Sequence, residues 1–185
     1  MNKLNKIKKL LEKNYNFKDI NYEYFPKTNK ELKQIIENLI NQYGNNVDLN
    51  IIDVSFIDDF SYLFIEKHYF NGDVSEWDVS NGKNFDCIFY NCYKFNSDLS
   101  KWNVSNGIGF DFMFFNCYKF NSDLSQWNVF NGKYFNSMFY KCKSFNADLS
   151  RWDVSNATDW NDFALYSLLS KYPENIPQKF KNYQL

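Results

Sequence analysis

Four aspartates stand at one fixed step. Asp73, Asp98, Asp123 and Asp148 each follow an asparagine by two residues, and each lies 25 residues beyond the last. Carboxylates repeated in register could do two kinds of chemistry. Stacked about 5 Å apart they would repel one another, and a ladder of calcium ions, as in the nonapeptide β-roll repeats, would relieve that repulsion. Alternatively, each carboxylate accepts backbone N–H bonds in its own turn while facing water. The β-roll signature is Gly-rich and nine residues long, unlike this one. The turn-capping role is therefore expected, and no metal ligand is assigned.

Other chemistry finds little support. His68 is the lone histidine, which excludes a multi-histidine metal site and reads as a partly exposed loop residue. The six glycines are scattered, with neither a GxGxxG run nor a Gly-Lys-Ser/Thr ending to cradle phosphate. Cys92, Cys117 and Cys142 share one repeat position and Cys87 stands apart; none has CxxC spacing. Buried free thiols are expected, with a disulfide between neighbouring coils the alternative. Trp77, Trp102, Trp127 and Trp152 recur at the same step. Facing outward, they could stack sugars or bases. Their alternation with polar neighbours and their partnership with valine place them inside. No catalytic residue and no cofactor is expected; an enzyme would need a carboxylate-only site, for which only the Asp column could serve.

The elements that would position these residues follow from the repeat. A fixed period of 20 to 50 residues marks a stacked array, in which each unit buries its apolar residues only against its neighbours. In Leu99-Ser-Lys-Trp102-Asn-Val104-Ser the apolar residues follow an LxxLxL frame, and Trp102 and Val104 alternate with polar residues as in a half-buried strand. Phe110, Met113, Phe114 and Cys117 take the i, i+3, i+4, i+7 spacing of a short buried helix. Asn-Gly at 81–82, 106–107 and 131–132 separates the two. The expected fold class is an α/β repeat: a right-handed, leucine-rich-repeat-like solenoid of about five coils, each a short parallel strand plus a short helix. A degenerate first coil aligns Ile52-Asp53-Val54-Ser55 with Trp77 to Ser80. At the far end Trp160, Phe163 and Ala164 stand where Phe135, Met138 and Phe139 stood.

Three segments are expected. Residues 1–46 form a helical N-terminal cap, with Leu4, Ile7, Leu10 and Leu11 on one face of a first helix. A second helix opens at Thr28 with Glu31 as a capping box, and Gly44 ends it. Residues 47–166 are the repeats. Residues 167–185, with Pro173 and Pro177, form a C-terminal cap. Residues 1–46 carry 9 Lys against 5 acidic residues, which reads as a solvated helix face or a basic docking surface. The net charge of −1 gives no case for a nucleic-acid partner. No stretch approaches the ~18 apolar residues of a membrane span. The N-terminus lacks the apolar core of a secretory leader, because Leu10-Leu11 runs straight into Glu12 and Lys13. As written, the chain reads as a cytoplasmic monomer.

The repeated sentence, Phe70-Asn-Gly-Asp-Val-Ser-Glu-Trp77-Asp-Val-Ser-Asn81 and its copies from Phe95, Phe120 and Phe145, resembles the BspA-like leucine-rich repeat proteins, the lipoprotein-associated 25-residue repeats abundant in mycoplasmas. The resemblance covers roughly residues 24 to 180. It implies a leucine-rich-repeat fold, a surface or secreted location, no catalytic residues, and binding to host or partner macromolecules. The positions that flank each Trp vary and should project from the strand face: Lys101, Asn103, Gln126, Asn128, Arg151 and Asp153, with Phe130 breaking a serine row. These are the candidate binding residues for an unidentified protein partner. A surface adhesin for matrix or carbohydrate, and a calcium-dependent repeat protein, are the alternatives.

Overall fold

The computed structural model describes residues 21–183. One α-helix, α1 (Asn29–Tyr43), precedes the repeats. Thr28 is its N-cap and accepts the Glu31 amide at 3.2 Å, while the Glu31 carboxylate accepts the Lys27 amide at 2.7 Å. Gly44 ends it at φ 88°, a left-handed conformation that glycine adopts without a Cβ penalty. Its apolar stripe of Leu32, Ile36 and Leu39 is buried against the first repeat layer. The helix expected around Leu4 to Leu11 lies outside the described residues.

The repeats stack with a register of 25 residues. Phe60, Phe85, Phe110 and Phe135 form one column of parallel rings with centroids 5.4, 5.5 and 5.2 Å apart. Phe64, Phe89, Phe114 and Phe139 form a second at 5.2, 5.7 and 5.5 Å. Phe70, Phe95, Phe120 and Phe145 form a third at 5.9, 5.9 and 5.6 Å. All twelve rings are fully buried. Large rigid side chains fill each thin layer with few rotamers to freeze, which suits a layer that has no neighbours except above and below. Gly107 is forced by this packing: a Cβ there would stand 2.3 Å from Cζ of Phe110.

The expected α/β solenoid of strand plus helix in each coil does not form. Among the described residues, α1 is the one α-helix and no strand is present. Pairing between layers reduces to isolated parallel bridges, such as Asn84–Gly109 and Gly109–Tyr134. The segment read as a strand is cut by turns every few residues: Trp102 N–H returns to Leu99 O at 3.1 Å and Gly107 N–H to Val104 O at 2.8 Å. The segment read as a helix is a run of overlapping four-residue turns, closed by Ile88 to Phe85, Tyr90 to Cys87 and Cys92 to Phe89. Cys87 (φ 56°) and Asn91 (φ 59°) are left-handed, so the chain cannot propagate a right-handed helix. The alternate N–H groups that a helix would spend on residue i−4 instead cross to the next layer. Phe85, Cys87, Phe89 and Asn91 donate to Gly109, Asp111, Met113 and Phe115 at 2.8 to 3.0 Å. The same left-handed pair recurs at Phe112/Asn116, Ser137/Lys141 and Asp162/Tyr166.

After the last layer come three 3₁₀ turns, Leu169–Lys171, Pro173–Asn175 and Gln178–Tyr183. Phe180 is buried against Phe135, Trp160 and Phe163. Lys179 Nζ donates to Ser155 O at 2.9 Å and to Ala157 O at 2.7 Å, two carbonyls at the end of the stack.

Candidate functional site

The interior columns account for most of the residues that could have done chemistry. Trp77, Trp102, Trp127 and Trp152 are 3–5% exposed. Their indole N–H groups donate to Leu49, Val74, Leu99 and Leu124 carbonyls at 2.9 to 3.0 Å, each 28 residues earlier. The indoles of Trp77 and Trp102 stack at 6.2 Å, and those of Trp127 and Trp152 at 6.3 Å. Cys92, Cys117 and Cys142 are free, fully buried, and donate Sγ–H to Phe64, Phe89 and Phe114 carbonyls at 2.9 to 3.0 Å. Burial pushes all three thiols well above the usual range and Cys87 up to about 11.

Asp73, Asp98, Asp123 and Asp148 each accept the amide of the serine two residues on, at 2.9 to 3.0 Å. Serine hydroxyls of the next layer also approach, Ser122 to Asp98 at 3.1 Å. For Asp98 and Asp148 the bonds from Ser100 and Ser150 hold the carboxyl below its ordinary range. The turn-capping role fits this geometry, and no cluster of three or more His, Cys, Asp or Glu among the described residues is placed to hold a metal ion. The asparagine columns do similar work. Asn81, Asn106, Asn131 and Asn156 donate Nδ2 to the carbonyls of Ser55, Ser80, Ser105 and Phe130 at 2.6 to 2.9 Å. His68 is half-buried, bonds Glu66 at 2.8 Å and stacks on Tyr93 at 4.5 Å.

All seven candidate binding residues are exposed and lie in three adjacent outer columns. Lys101 sits beside Gln126 and Arg151 in the column that starts at Glu76, and its ammonium pairs with the Glu76 carboxylate. That hydrogen bond raises the Lys101 pKa. Asn103, Asn128 and Asp153 each spend an oxygen on their own turn, accepting the amides of Ser105, Phe130 and Ser155 at 3.2, 3.1 and 3.0 Å. Their types are thus fixed partly by local structure. Gln126 reaches Ser125 Oγ at 3.2 Å. Phe130 is 46% exposed and Tyr134 44%. Lys101, Gln126, Phe130 and Arg151 are the members whose side-chain type the scaffold does not dictate.

Two further arrangements have no counterpart in the motif reading. Asp86 accepts the Asp111 amide at 2.9 Å, and Asp111 accepts the Asn136 amide at 2.7 Å. Asn136 in turn accepts the Asn161 amide at 2.9 Å. This ladder is half-buried, and desolvation raises Asp86 to about 6, with the Asp111 and Asp59 charges adding to the rise. Outside the core, Tyr90, Phe115 and Tyr140 stack at 4.7 Å, and Tyr93 and Tyr118 at 5.0 Å. Their ring faces cover one another, so they present edges rather than stacking platforms to solvent. The 25-residue recurrence of Asp/Asn at 86, 111, 136 and 161 was the available sign of the first arrangement, and that of aromatics at 90, 115 and 140 of the second.

A family model described as "Mycoplasma protein of unknown function, DUF285" matches residues 30–127 and, in an overlapping second match, residues 84–171. No curated protein and no solved structure matches the chain.

Proposed function

The chain belongs to the mycoplasma family DUF285, and we propose that it is a non-catalytic protein-binding module whose partner docks on the outer columns beside the tryptophan ladder. The BspA-like kinship suggested by the repeated sentence belongs to this proposal as well, as a kinship of sequence and of binding role rather than of an α/β form.

One observation carries the reading. Interior columns keep one residue type through successive layers, Trp at 77, 102, 127 and 152, while the outward column beside them, half-buried at its first member and exposed at the other three, runs Glu76, Lys101, Gln126, Arg151. Within one stack, then, the scaffold is held fixed and one outward column is free to change. Phe130 adds an apolar side chain to a row otherwise filled by Ser80, Ser105 and Ser155. Interfaces concentrate their energy in a few aromatic and arginine anchors, so Phe130 and Arg151 are the anchors of the proposed face. Replacing both with serine is expected to leave the melting temperature nearly unchanged and to weaken partner capture at least ~10-fold, about 1.4 kcal/mol. Capture that survives this change but is lost on removing residues 1–46 would move the docking site to the N-terminal segment.

A further inference from the structure

Charge is handled in two ways on the outside of the stack. Two lysines follow an acid by one layer in the same column and pair with it: Lys83 with Asp58 at 3.2 Å, and Lys101 with Glu76. The exposed aspartates at 73, 98, 123 and 148 share a column, but each caps its own turn. One corner differs. Residues 87–97, 112–122 and 137–147 stand in register and hold four lysines, Lys94, Lys119, Lys141 and Lys143, with no aspartate or glutamate.

Lys94 and Lys119 occupy one position in successive layers, and Tyr93 and Tyr118 beside them stack at 5.0 Å. Ammonium groups carried one layer apart repel each other. Lys141 and Lys143 meet ring faces rather than carboxylates. Lys141 Nζ lies 5.1 Å from the Tyr140 centroid, and Lys143 Nζ 5.0 Å from that of Tyr118, one layer back. Among the described residues no carboxylate pairs with any of the four lysines. Glu66, which opens the column of Asn91, Asn116 and Lys141, is engaged with Asn91 Nδ2 at 2.7 Å and His68 at 2.8 Å. Lys94, Lys119 and Lys143 are exposed. Unlike the aspartates, these side chains close no turn of their own.

We propose that this corner, formed by Tyr93, Lys94, Tyr118, Lys119, Lys141 and Lys143, docks an acidic segment of a partner protein. Four ammonium groups gathered without anions attract carboxylates, and each pair formed also relieves the repulsion among them. Ring edges carry partial positive charge and tyrosine hydroxyls donate, so Tyr93 and Tyr118 favour the same oxygens. A nucleic-acid strand fits less well, because it needs open ring faces on which its bases stack. Here the column runs His68, Tyr93, Tyr118, Lys143, so both faces of each tyrosine are covered. The corner is separate from the Phe130–Arg151 face and does not depend on it.

The test uses the full chain, ¹⁵N-labelled, and a fluorescein-labelled octapeptide of alternating Glu and Ser. Binding read by anisotropy at low salt is expected to weaken at least ~10-fold in Lys94→Ser, Lys119→Ser, without a lower melting temperature. Lys133→Ser, Lys171→Ser removes equal charge elsewhere and should bind as the wild type does. So should Phe130→Ser, Arg151→Ser. Peptide-induced amide shifts should gather at residues 93–94, 118–119 and 141–143. Four results would overturn the proposal: no binding of the peptide, equal weakening in the Lys133, Lys171 variant, shifts centred on another face, or tighter binding of an oligothymidylate of the same charge.

Discussion

The indole N–H of Trp102 donates to the backbone carbonyl of Val74 at 2.9 Å, across 28 residues of sequence and one layer of the stack. Each tryptophan both fills its own layer and closes a hydrogen bond to the layer before. The Val74 carbonyl also closes its own turn by accepting the Trp77 amide at 3.3 Å, so the indole adds the bond between layers through the carbonyl's second lone pair.

Trp102→Ala is expected to cost about 3–5 kcal/mol, the usual penalty for emptying a large core site. Trp102→Phe keeps most of the ring and leaves the Val74 carbonyl its bond from the Trp77 amide at 3.3 Å, so the lost indole bond is expected to cost about 0.5–1.5 kcal/mol. Urea denaturation of the two variants checks the order. Equal stability of Trp102→Phe and wild type would remove the hydrogen bond from the account.

The thiols are predicted to be inert. Cys92, Cys117 and Cys142 are fully buried and their Sγ–H groups are occupied, and burial disfavours the reactive thiolate. A thiol reagent should label them slowly in native protein and quickly in denaturant. Cys117→Ser, which retains a donor for the Phe89 carbonyl, should be milder than Cys117→Val. Rapid native labelling would contradict the buried column.

Asp86 gives a pH dependence of definite sign. Its carboxyl is raised to about 6 in the fold, against about 3.9 in an unfolded chain. A folded pKa above the unfolded one means the contribution is fully present below about pH 4 and lost as pH rises through 6. Asp86→Asn keeps an acceptor for the Asp111 amide without the charge. It should therefore raise the melting temperature at pH 7.5 and change it little at pH 4. Destabilisation at pH 7.5 would show that the carboxylate is favoured where it stands.

Left-handed residues should respond to backbone freedom. Lys141 sits at φ 56°, a conformation costing roughly 1–2 kcal/mol for a residue with a Cβ. Lys141→Gly is expected to be neutral or stabilising, and Lys141→Val clearly destabilising, because a β-branched side chain tolerates that region worst. Thermal melts of the pair suffice.

Burial was legible in the sequence and backbone conformation was not. The 25-residue step placed Trp102, Phe110, Met113, Phe114 and Cys117 in the core, and all five are buried. Apolar residues at i, i+3, i+4 and i+7 suit a short helix, yet a chain of four-residue turns buries the same positions, and periodicity cannot separate the two. The deciding facts are the left-handed φ at Phe112 and Asn116 and the N–H bonds to another layer. Neither Phe nor Asn at those positions announces them as glycine would have. The alternation about Trp102 likewise described which residues point inward, while the turns at Leu99–Trp102 and Val104–Gly107 took the place of a strand. At the candidate face the flanking columns were found from their spacing. The turn-capping share of Asn103, Asn128 and Asp153 needed the structure.

N–H groups crossing from layer to layer hold the repeats together, and NMR can observe those bonds directly. Scalar coupling across hydrogen bonds, measured by NMR, identifies the carbonyl that each amide bonds. The Phe89 amide is expected to couple to the carbonyl carbon of Met113, its partner at 3.0 Å in the following layer. Coupling to Phe85, four residues earlier, would mean a helix in each repeat and would contradict it.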